Sequence, residues 1–352
     1  MLRVQAKCCA DGDAPEGAVC CPPLEERSPI YMADSRLTWA NRLDHLAARW
    51  GYRRSQHRVA PGLYALGSPG PDSPVFVTAN YTLSYDALRV ALAGWDAYIL
   101  VLDTAGINVW CAAGKGTFGT DELVRRIAVT GLADVVNHRR LILPQLGASG
   151  VSAHEVRRRS GFRVEYGPVR AADLPRHLEL GEATPEMRRV TFTLRERLVL
   201  IPVELVHALL PMLAAAVVLY LLAGLWAAIG VVAAVLAGVV LFPLLLPWLP
   251  TADFSSRGFV LGALVALPVA FGAYRGEADA ALWMRGARAL ALFVGLPAVT
   301  AYLALNFTGA TPITSRSGVQ REMSRYIPVM AVLAGGAALT VIVLAVLGLI
   351  GG

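Results

Sequence analysis

Hydrophobic and polar positions follow different patterns in the two parts of this 352-residue chain. Between about residues 34 and 166, short apolar runs alternate with amphipathic segments, a pattern typical of strands alternating with helices. The predicted strands are 74–79, 98–103, 140–143 and about 162–166, and the predicted helices are 34–50, 83–93, 120–130 and 152–160. This alternation predicts an α/β domain with a Rossmann-like open parallel sheet and helices on both of its faces.

From about residue 198 the apolar runs become long enough to cross a bilayer, which requires about 20 apolar residues per helix. Five spans are predicted, at about 198–223, 225–249, 258–274, 287–307 and 327–350. The third run is the shortest and contains Pro268, so we expect it inside the bundle, where neighbouring helices cover an interrupted backbone. Gly258 and Gly262 form a small-xxx-small pair, which predicts a close helix contact. The second part of the chain is therefore predicted to be an all-α domain of five transmembrane helices.

Composition supports a division into a soluble and a membrane part. Hydrophobic residues make up 55% of the chain and charged residues only 16%, whereas soluble domains carry about 25% charged residues. Of the 32 Lys and Arg residues, 25 lie in residues 1–197, as do 21 of the 26 Asp and Glu residues. We therefore predict a flexible, cysteine-containing arm at 1–33, an α/β domain at 34–196 and a transmembrane domain at 197–352. The arm is rich in Pro, Gly and Asp and has no periodicity.

Charges near the spans predict the orientation. The N-terminal segment has no apolar core of signal-peptide length, so the α/β domain is expected in the cytoplasm. Arginines concentrate on one side of the spans, at residues 188–197, 257 and 316–325. The positive-inside rule then favours a multi-pass protein of the cytoplasmic (inner) membrane with its C-terminus outside. No dense basic stripe with interleaved aromatics is present, so no nucleic-acid partner is expected, and the few ionisable residues in the spans favour an anchor over a transport path.

Candidate ligand-binding residues lie where the predicted strands end. Ligands of open parallel sheets bind beyond the carboxyl ends of the strands, which indicates Thr78–Asn80, Asp103–Asn108 and Pro144–Gly147. No G-x-G-x-x-G motif follows a strand and no P-loop motif exists, so nucleotide binding is not indicated.

The segment Asn108–Lys115, N-V-W-C-A-A-G-K, is the most informative of the chain. If it is helical, Asn108, Cys111 and Lys115 share one face through i+3 and i+4 spacing. Its small residues, Ala112 to Gly114, let a flat ligand approach the backbone closely. A thiolate is the metal-ligating form of cysteine, whereas an isolated cysteine is more often a buried core residue. The small residues around Cys111 and the nearby Lys115 favour the interpretation of Cys111 as a metal ligand.

The same eight residues match, position for position, the N-V/I-W-C-A-A/G-G-K signature of the HgcA family, the membrane corrinoid proteins of microbial mercury methylation. The wider stretch from Pro61 to about Glu204 resembles the cobamide-binding domain of the corrinoid iron–sulfur protein family. The five predicted spans are similar to the membrane tail of the HgcA family.

This resemblance implies a cobamide cofactor with Cys111 as the lower axial ligand of its cobalt and as the catalytic residue. Thr78 is the next candidate for a contact with the corrin ring. The remaining residues expected at the cofactor are Asn80, Asn108, Val109, Trp110, Ala112, Ala113, Gly114, Lys115 and Gly147. The implied reaction transfers a methyl group from methyl–Co(III) cobamide to Hg(II), giving methylmercury, after a folate-linked methyl donor or its methyltransferase has charged the cofactor.

The N-terminal cysteines depart from the soluble relatives, which carry an iron–sulfur domain with spaced cysteines. This chain has two adjacent pairs, Cys8–Cys9 and Cys20–Cys21, which lack the spacing of a cluster site. The resemblance therefore implies iron–sulfur clusters only on a partner, the ferredoxin-like HgcB with two 4Fe–4S clusters. The pairs either bind a soft metal such as Hg(II), which thiolates select, or are incidental thiols.

The sequence thus predicts a membrane-anchored corrinoid methyltransferase acting on Hg(II). Two alternatives stay open. One is a corrinoid methyl carrier of one-carbon metabolism with an acceptor other than mercury. The other is a non-catalytic corrinoid-binding or metal-uptake membrane protein.

Overall fold

The computed structural model describes residues 28–276, 280–311 and 313–351. These residues divide into two compact units. The first comprises the described residues through Val190 apart from Arg49–Gly51. The second comprises Arg49–Gly51 and the described residues from Thr191 onward, a few residues before the expected boundary at 196/197. The cysteine pairs Cys8–Cys9 and Cys20–Cys21 lie outside the described residues.

The first unit is an α/β domain, as predicted. Its strands are β1 (Ile30–Ala33), β2 (Gly62–Leu66), β3 (Val75–Ala79), β4 (Ala97–Leu102), β5 (Arg140–Leu143) and β6 (Arg163–Tyr166). Its helices are α1 (Trp39–Arg49), α2 (Thr82–Ala91), α3 (Val109–Lys115), α4 (Thr120–Thr130), α5 (Leu132–Val135), α6 (Ala153–Ser160) and α7 (Leu174–Leu180). The four predicted strands and four predicted helices all form, with bounds within two residues of those predicted, except that α1 begins at Trp39 and not at residue 34.

Strand β1 occupies residues that the sequence analysis assigned to the flexible arm. Its four residues pair in parallel with β2, and the Tyr31 ring lies 4.9 Å from the Tyr64 ring of β2, centroid to centroid. The order of this strand comes from its non-local pairing with β2. The arm therefore does not extend to residue 33.

The sheet is mostly parallel, with the strand order β1-β2-β4-β3-β5-β6. Strands β4, β3, β5 and β6 are parallel to one another, which confirms the predicted arrangement for these four. In contrast, β2 is antiparallel to β4, and β1 follows the direction of β2. The reason is the short Gly67–Pro74 connection between β2 and β3: a parallel crossover needs a dozen or more residues, so the chain must reverse direction here.

Apolar layers cover both faces of the sheet. Side chains alternate along a strand, so Val77 and Ala79 of β3 pack in the layer that contains α3 and α4, while Phe76 packs in the layer that contains α2. Every residue of β3 and β4 is buried, as expected for central strands covered on both sides.

The second unit is helical and has five helices long and apolar enough to cross a membrane, as predicted. These spans are Leu194–Ala223, Leu225–Leu245, Phe254–Gly276, Leu282–Ala310 and Ser317–Ile350. Their helices are α8 (Leu194–Leu198), α9 (Ile201–Ala223), α10 (Leu225–Leu236), α11 (Phe242–Leu245), α12 (Phe254–Gly276), α13 (Leu282–Asn306) and α14 (Arg316–Gly351), with a π-helical turn at Ala237–Leu241. The second, third and fourth spans are much more buried within the unit than the first and fifth. The third span is therefore an inner helix, as its proline indicated.

Helices α12 and α13 approach each other through the predicted small-residue pair. A Cβ atom added to Gly258 would lie 2.6 Å from the Cα of Ala301, and one added to Gly262 would lie 2.6 Å from the Cα of Pro297. Any side chain at these positions would collide with the backbone of α13. The two glycines therefore permit the close contact between the two helices.

Polar side chains in the second unit bond across its helices. Thr300 donates from its hydroxyl to the carbonyl of Ala234 at 3.0 Å, and the Glu322 carboxylate accepts from the backbone N–H of Ser255. These bonds join α13 to α10 and α14 to α12.

Candidate functional site

The carboxyl ends of β3 and β4 are held together by Asn80, the residue after β3. Its side chain is almost fully buried, and its Oδ1 accepts hydrogen bonds from the backbone N–H groups of Thr104 at 3.1 Å and Gly106 at 3.0 Å. Its Nδ2 donates to Oδ1 of Asp103 at 3.1 Å. The structure thus places Asn80 as the support of the loop that leads from β4 into α3.

That loop turns sharply through two consecutive residues with positive φ, Ala105 at 55° and Gly106 at 74°. A left-handed conformation costs a residue with a Cβ about 1–2 kcal/mol, and such strain is often found at functional sites. The turn is stabilised by the carboxylate of Asp103, which accepts from the Ala105 N–H at 3.1 Å. The hydroxyl of Thr104 contacts the carbonyl oxygen of Ile107 at 2.7 Å.

Helix α3 begins and ends at strong local signals. Asn108 is its N-cap, and the side chain of Asn108 accepts a hydrogen bond from the backbone N–H of Cys111 at 2.9 Å. Asparagine is among the preferred N-cap residues because it satisfies one of the free N–H groups of the first turn. Gly116 closes the helix in a left-handed conformation with φ of 84°. The Asn108 side chain is therefore engaged with the backbone that carries Cys111.

Helix α3 has a buried face and an open face. Val109, Ala112 and Ala113 are buried in the apolar layer against the sheet. The side chains on the other side are half-buried or exposed: Trp110, Cys111, Gly114 and Lys115. All seven residues of α3 were predicted to contact the cofactor. The structure places four of them on one accessible surface and the three buried ones in the core.

The glycines around α3 differ in what they do for the fold. A Cβ atom at Gly147 would lie 2.6 Å from the Phe118 ring, and one at Gly150 would lie 2.9 Å from the Cα of Ala113. Close packing therefore explains these two glycines. At Gly114, within α3, a Cβ atom would meet nothing within 4 Å, although glycine inside a helix costs about 0.5–1 kcal/mol relative to alanine. The fold does not require this glycine, and its effect is to leave the surface beside Cys111 flat and open.

Cys111 has a free, half-buried thiol on this surface. Among the described residues, no group of three or more His, Cys, Asp or Glu side chains is arranged to hold a metal ion. A metal bound at Cys111 would therefore take one ligand from α3 and its other ligands from elsewhere, as a metal held in a planar macrocycle does. A single thiol donor beside a flat, unobstructed patch fits such a group.

Two other predicted residues are fixed by the packing of the unit. Thr78 is buried within β3, and because it alternates with Val77 and Ala79 its side chain projects from the sheet face opposite to the one that α3 covers. Gly147 ends a 3-10 turn that neighbours α3 and packs against Phe118.

Sequence reasoning missed the contacts that fix the edges of this region. The carboxylate of Glu122 on α4 accepts from the backbone N–H of Asp103 at 2.9 Å and pairs with Arg126 at 2.7 Å. Tyr166 donates from its hydroxyl to the carbonyl of Val151 at 2.8 Å, and burial raises the pKa of this phenol above its ordinary value. Glu122 was visible in the sequence only as an acidic residue in the first turn of α4, and its long-range role depends on the fold.

Comparison with known proteins shows what this unit is similar to. Residues 50–175 match the family model described as CO dehydrogenase/acetyl-CoA synthase delta subunit. The chain is 35% identical over 128 residues to the acetyl-CoA decarbonylase/synthase complex subunit gamma of Archaeoglobus fulgidus, covering 36% of this chain and 27% of that protein. The corresponding subunit of Methanopyrus kandleri shows the same identity and coverage, and that of Methanocaldococcus jannaschii is 37% identical over 101 residues, 27% of this chain and 20% of that protein.

The chain thus spans about a quarter of the length of the curated relatives it matches. The segment matched by the family model runs from the end of α1 into α7 and contains β2 to β6 and the whole of α3. The five candidate spans lie outside it. The unit that carries Cys111 is therefore similar in sequence to subunits of acetyl-CoA decarbonylase/synthase complexes. The matched segment does not include the helical unit.

Proposed function

We propose that this protein is a membrane-anchored corrinoid methyltransferase that delivers a methyl group to Hg(II), forming methylmercury. The observation that carries the proposal is the half-exposed thiol of Cys111, which lies on the open face of α3 at the carboxyl ends of the parallel strands. Ligands of open α/β sheets bind at this edge.

The residues of α3 have distinct roles in this proposal. Cys111 would hold the cobalt of a cobamide through its thiolate, and Gly114 would leave room for the corrin ring beside the helix. Trp110 and Lys115 lie on the same open face and would contact the ring, while the Asn108 side chain holds the backbone of the first turn. When bound, the cobamide supplies a cobalt that accepts and releases a methyl group. A thiolate is a soft, electron-rich ligand, which favours release of that methyl group to a soft electrophile such as Hg(II).

Two partners complete the reaction. A ferredoxin-like protein with two 4Fe–4S clusters, corresponding to HgcB, supplies the electrons that regenerate the cofactor, and a folate-linked methyl donor or its methyltransferase supplies the methyl group. The candidate spans support a location in the cytoplasmic membrane with the cofactor unit in the cytoplasm. The acceptor, Hg(II), rests on the Asn108–Lys115 signature.

A second candidate is a corrinoid methyl carrier of one-carbon metabolism with a different acceptor. The similarity of residues 50–175 to acetyl-CoA decarbonylase/synthase subunits favours it. This candidate shares the cofactor and the dependence on Cys111 and differs only in the product.

The test is formation of methylmercury from isotopically labelled Hg(II) by the full chain co-expressed with its ferredoxin partner. Wild type is compared with Cys111→Ala. The Asn108 side chain bonds the backbone N–H of residue 111 and not its sulfur, so this variant is expected to fold normally and to lose essentially all product. Corrinoid binding and circular dichroism are measured on both proteins.

The outcomes separate the two candidates. Product from wild type alone supports mercury methylation with Cys111 at its centre. Turnover by Cys111→Ala at the wild-type rate contradicts the axial-ligand role. No product from either protein, with corrinoid bound to the wild type, rejects Hg(II) as acceptor and favours the one-carbon carrier.

A further inference from the structure

Helix α1 carries a stripe of large apolar side chains that is exposed. The stripe consists of Trp39, Leu43, Leu46 and Trp50, the last directly after the helix, with exposed fractions of 78%, 64%, 54% and 48%. At 3.6 residues per turn these four positions fall within an arc of about 60°. Large apolar side chains exposed singly are ordinary, but a continuous stripe on one helix face marks an interaction surface.

The opposite side of α1 is polar and faces inward. Oδ1 of Asp44 lies 2.7 Å from Nδ1 of the buried His57. Nε2 of His45 lies 2.6 Å from Oδ2 of the buried Asp86 on α2. Only Ala48 of α1 is fully buried. The helix is thus attached to its unit by polar contacts.

This arrangement reverses the usual amphipathic helix of a soluble domain, which packs its apolar stripe on the core and turns its polar face to water. Turning α1 over is prevented by the His57–Asp44 and His45–Asp86 contacts. The orientation favours an apolar medium or an apolar partner on the outer side.

The outer face of α1 is also basic. Arg42 and Arg49 are exposed on one flank of the stripe, and Arg53 follows the helix. The only acidic residue between Trp39 and Arg49 is Asp44, which is engaged with His57 on the inner side. The guanidinium of Arg42 lies over the Trp39 ring, 5.5 Å from its centroid. Trp and Leu on one face with Arg beside them is the composition of helices that lie in the interface of an anionic membrane.

We propose that α1 is an interfacial membrane helix whose stripe inserts among the headgroups of anionic phospholipids. The protein has five candidate spans, and when these are inserted α1 is tethered to a bilayer through the chain. Arg42, Arg49 and Arg53 complement the negative charge of the cytoplasmic leaflet, and tryptophan is enriched at the membrane interface. A protein partner is less well supported, because a helix of 11 residues is only about 16 Å long and stable interfaces bury about 800 Å² per partner.

The experiment places a photoreactive benzoylphenylalanine at Leu43 or Leu46 of the full chain, reconstituted in vesicles of phosphatidylcholine and phosphatidylglycerol. Control positions are Leu180 at the end of α7 and Val90 in α2, which are exposed apolar residues of the same unit. After irradiation, mass spectrometry identifies what each position has captured. All four positions are exposed, so the substitutions leave the core intact.

Lipid adducts at positions 43 and 46 several times more abundant than at 180 and 90 are the expected result. The double variant Arg42→Gln/Arg49→Gln should reduce these adducts by up to about 30-fold, because each arginine contributes about 1 kcal/mol at an anionic surface. The matched control Arg157→Gln/Arg176→Gln, which removes two exposed arginines elsewhere in the unit, should not change them.

Three results would overturn the proposal. Capture of peptides from a second copy or from another protein at positions 43 and 46 would identify a protein interface. Equal lipid capture at 43, 90 and 180 would show no preferred contact. Lipid capture unchanged in vesicles of phosphatidylcholine alone would remove the role of the arginines and of anionic lipid.

Discussion

Individual residues position Cys111 through its backbone and leave its sulfur free. Asn108 accepts from the Cys111 N–H, and the Asn80 side chain organises the turn that precedes α3 through four hydrogen bonds. Gly114 adds an open surface that the packing of the unit does not require. At this scale the site consists of one free thiol, two supporting amide side chains and a glycine that leaves the surface open.

Gly114→Leu tests whether the open surface at Gly114 serves to bind a ligand. The added side chain meets nothing within 4 Å at its Cβ, and replacing glycine in a helix is expected to stabilise α3 by about 0.5–1 kcal/mol. In contrast, corrinoid binding should be lost, because leucine occupies the surface beside Cys111. Absorbance titration of corrinoid and thermal unfolding measure the two effects separately.

The matched control is Gly70→Leu. Gly70 lies in the connection before β3, at the other end of that strand, and a Cβ there also meets nothing within 4 Å. This variant should bind corrinoid as the wild type does. Wild-type affinity in Gly114→Leu would contradict a cofactor lying against α3.

Helices α1 and α12 show how a whole element depends on a few contacts. α1 is attached to its unit through Asp44 and His45, and α12 packs on α13 through Gly258 and Gly262. In the first case the attachment is electrostatic and depends on pH. In the second it is steric.

The attachment of α1 should weaken at high pH. The pKa of His57 is raised above its ordinary value of 6.5: burial alone would lower it, but hydrogen bonds to the carbonyl of Tyr52 and the carboxylate of Asp44, with the charge of Asp44, outweigh burial. A raised pKa means that the folded state binds the proton more tightly than the unfolded state. The stability from this contact is therefore fully present below about pH 6.5 and is lost as the pH rises through the folded-state pKa.

Hydrogen exchange of the α1 amides, corrected for intrinsic rates, measures this effect. The loss of protection in His57→Gln relative to wild type should be large at pH 6 and small at about pH 9. The exposed His154, changed to Gln, is the control and should have no effect on α1. A difference between wild type and His57→Gln that grows with pH would contradict the sign of the linkage.

Gly258→Leu tests the contact between α12 and α13. The new side chain collides with the backbone at Ala301, and overpacking of this kind costs about 1–3 kcal/mol. The midpoint of thermal unfolding in detergent should fall. Gly335→Leu in α14, where a Cβ meets nothing within 4 Å, is the matched control and should unfold as the wild type does. Equal midpoints for the two variants would show that α12 and α13 are not in close contact.

The whole molecule joins a charged α/β unit to a helical unit with five candidate spans. An odd number of spans puts the two ends of the helical unit on opposite sides of the membrane. With the arginines before the first span kept inside, the C-terminus is expected outside.

Reporter fusions to the full chain test this topology. Alkaline phosphatase, which is active only outside the cytoplasm, should be active when fused after the fifth span. It should be inactive when fused after Asn306, at the end of α13, because this end is predicted to be cytoplasmic. The reverse pattern would place the cofactor unit outside and would contradict the proposed access to a folate-linked methyl donor.

Local patterns in the sequence determined most of the elements of this protein. The strands β3 to β6 follow from short apolar runs, and the spans follow from length and hydropathy alone. The segment Asn108–Lys115, which was considered as a helix, does form α3, and both of its ends are set locally, by the cap Asn108 and by Gly116 directly after it. The spacing of Gly258 and Gly262 likewise predicted a close helix contact, which the structure shows between α12 and α13.

Tertiary structure decided the features that depend on residues far apart in the chain. The reversed direction of β2 and the order of β1 come from pairing with strands elsewhere in the sheet. Other features depend on which face of a neighbouring element a residue meets. These are the burial of Ala112 and Ala113, the burial of Thr78 on the sheet face opposite α3, and the hydrogen bonds by which Asn80 supports the loop before α3. The outward stripe of α1 has the same origin, since periodicity defines an apolar face but not its direction. Its direction was set by Asp44 and His45, whose partners His57 and Asp86 are brought to them only by the fold.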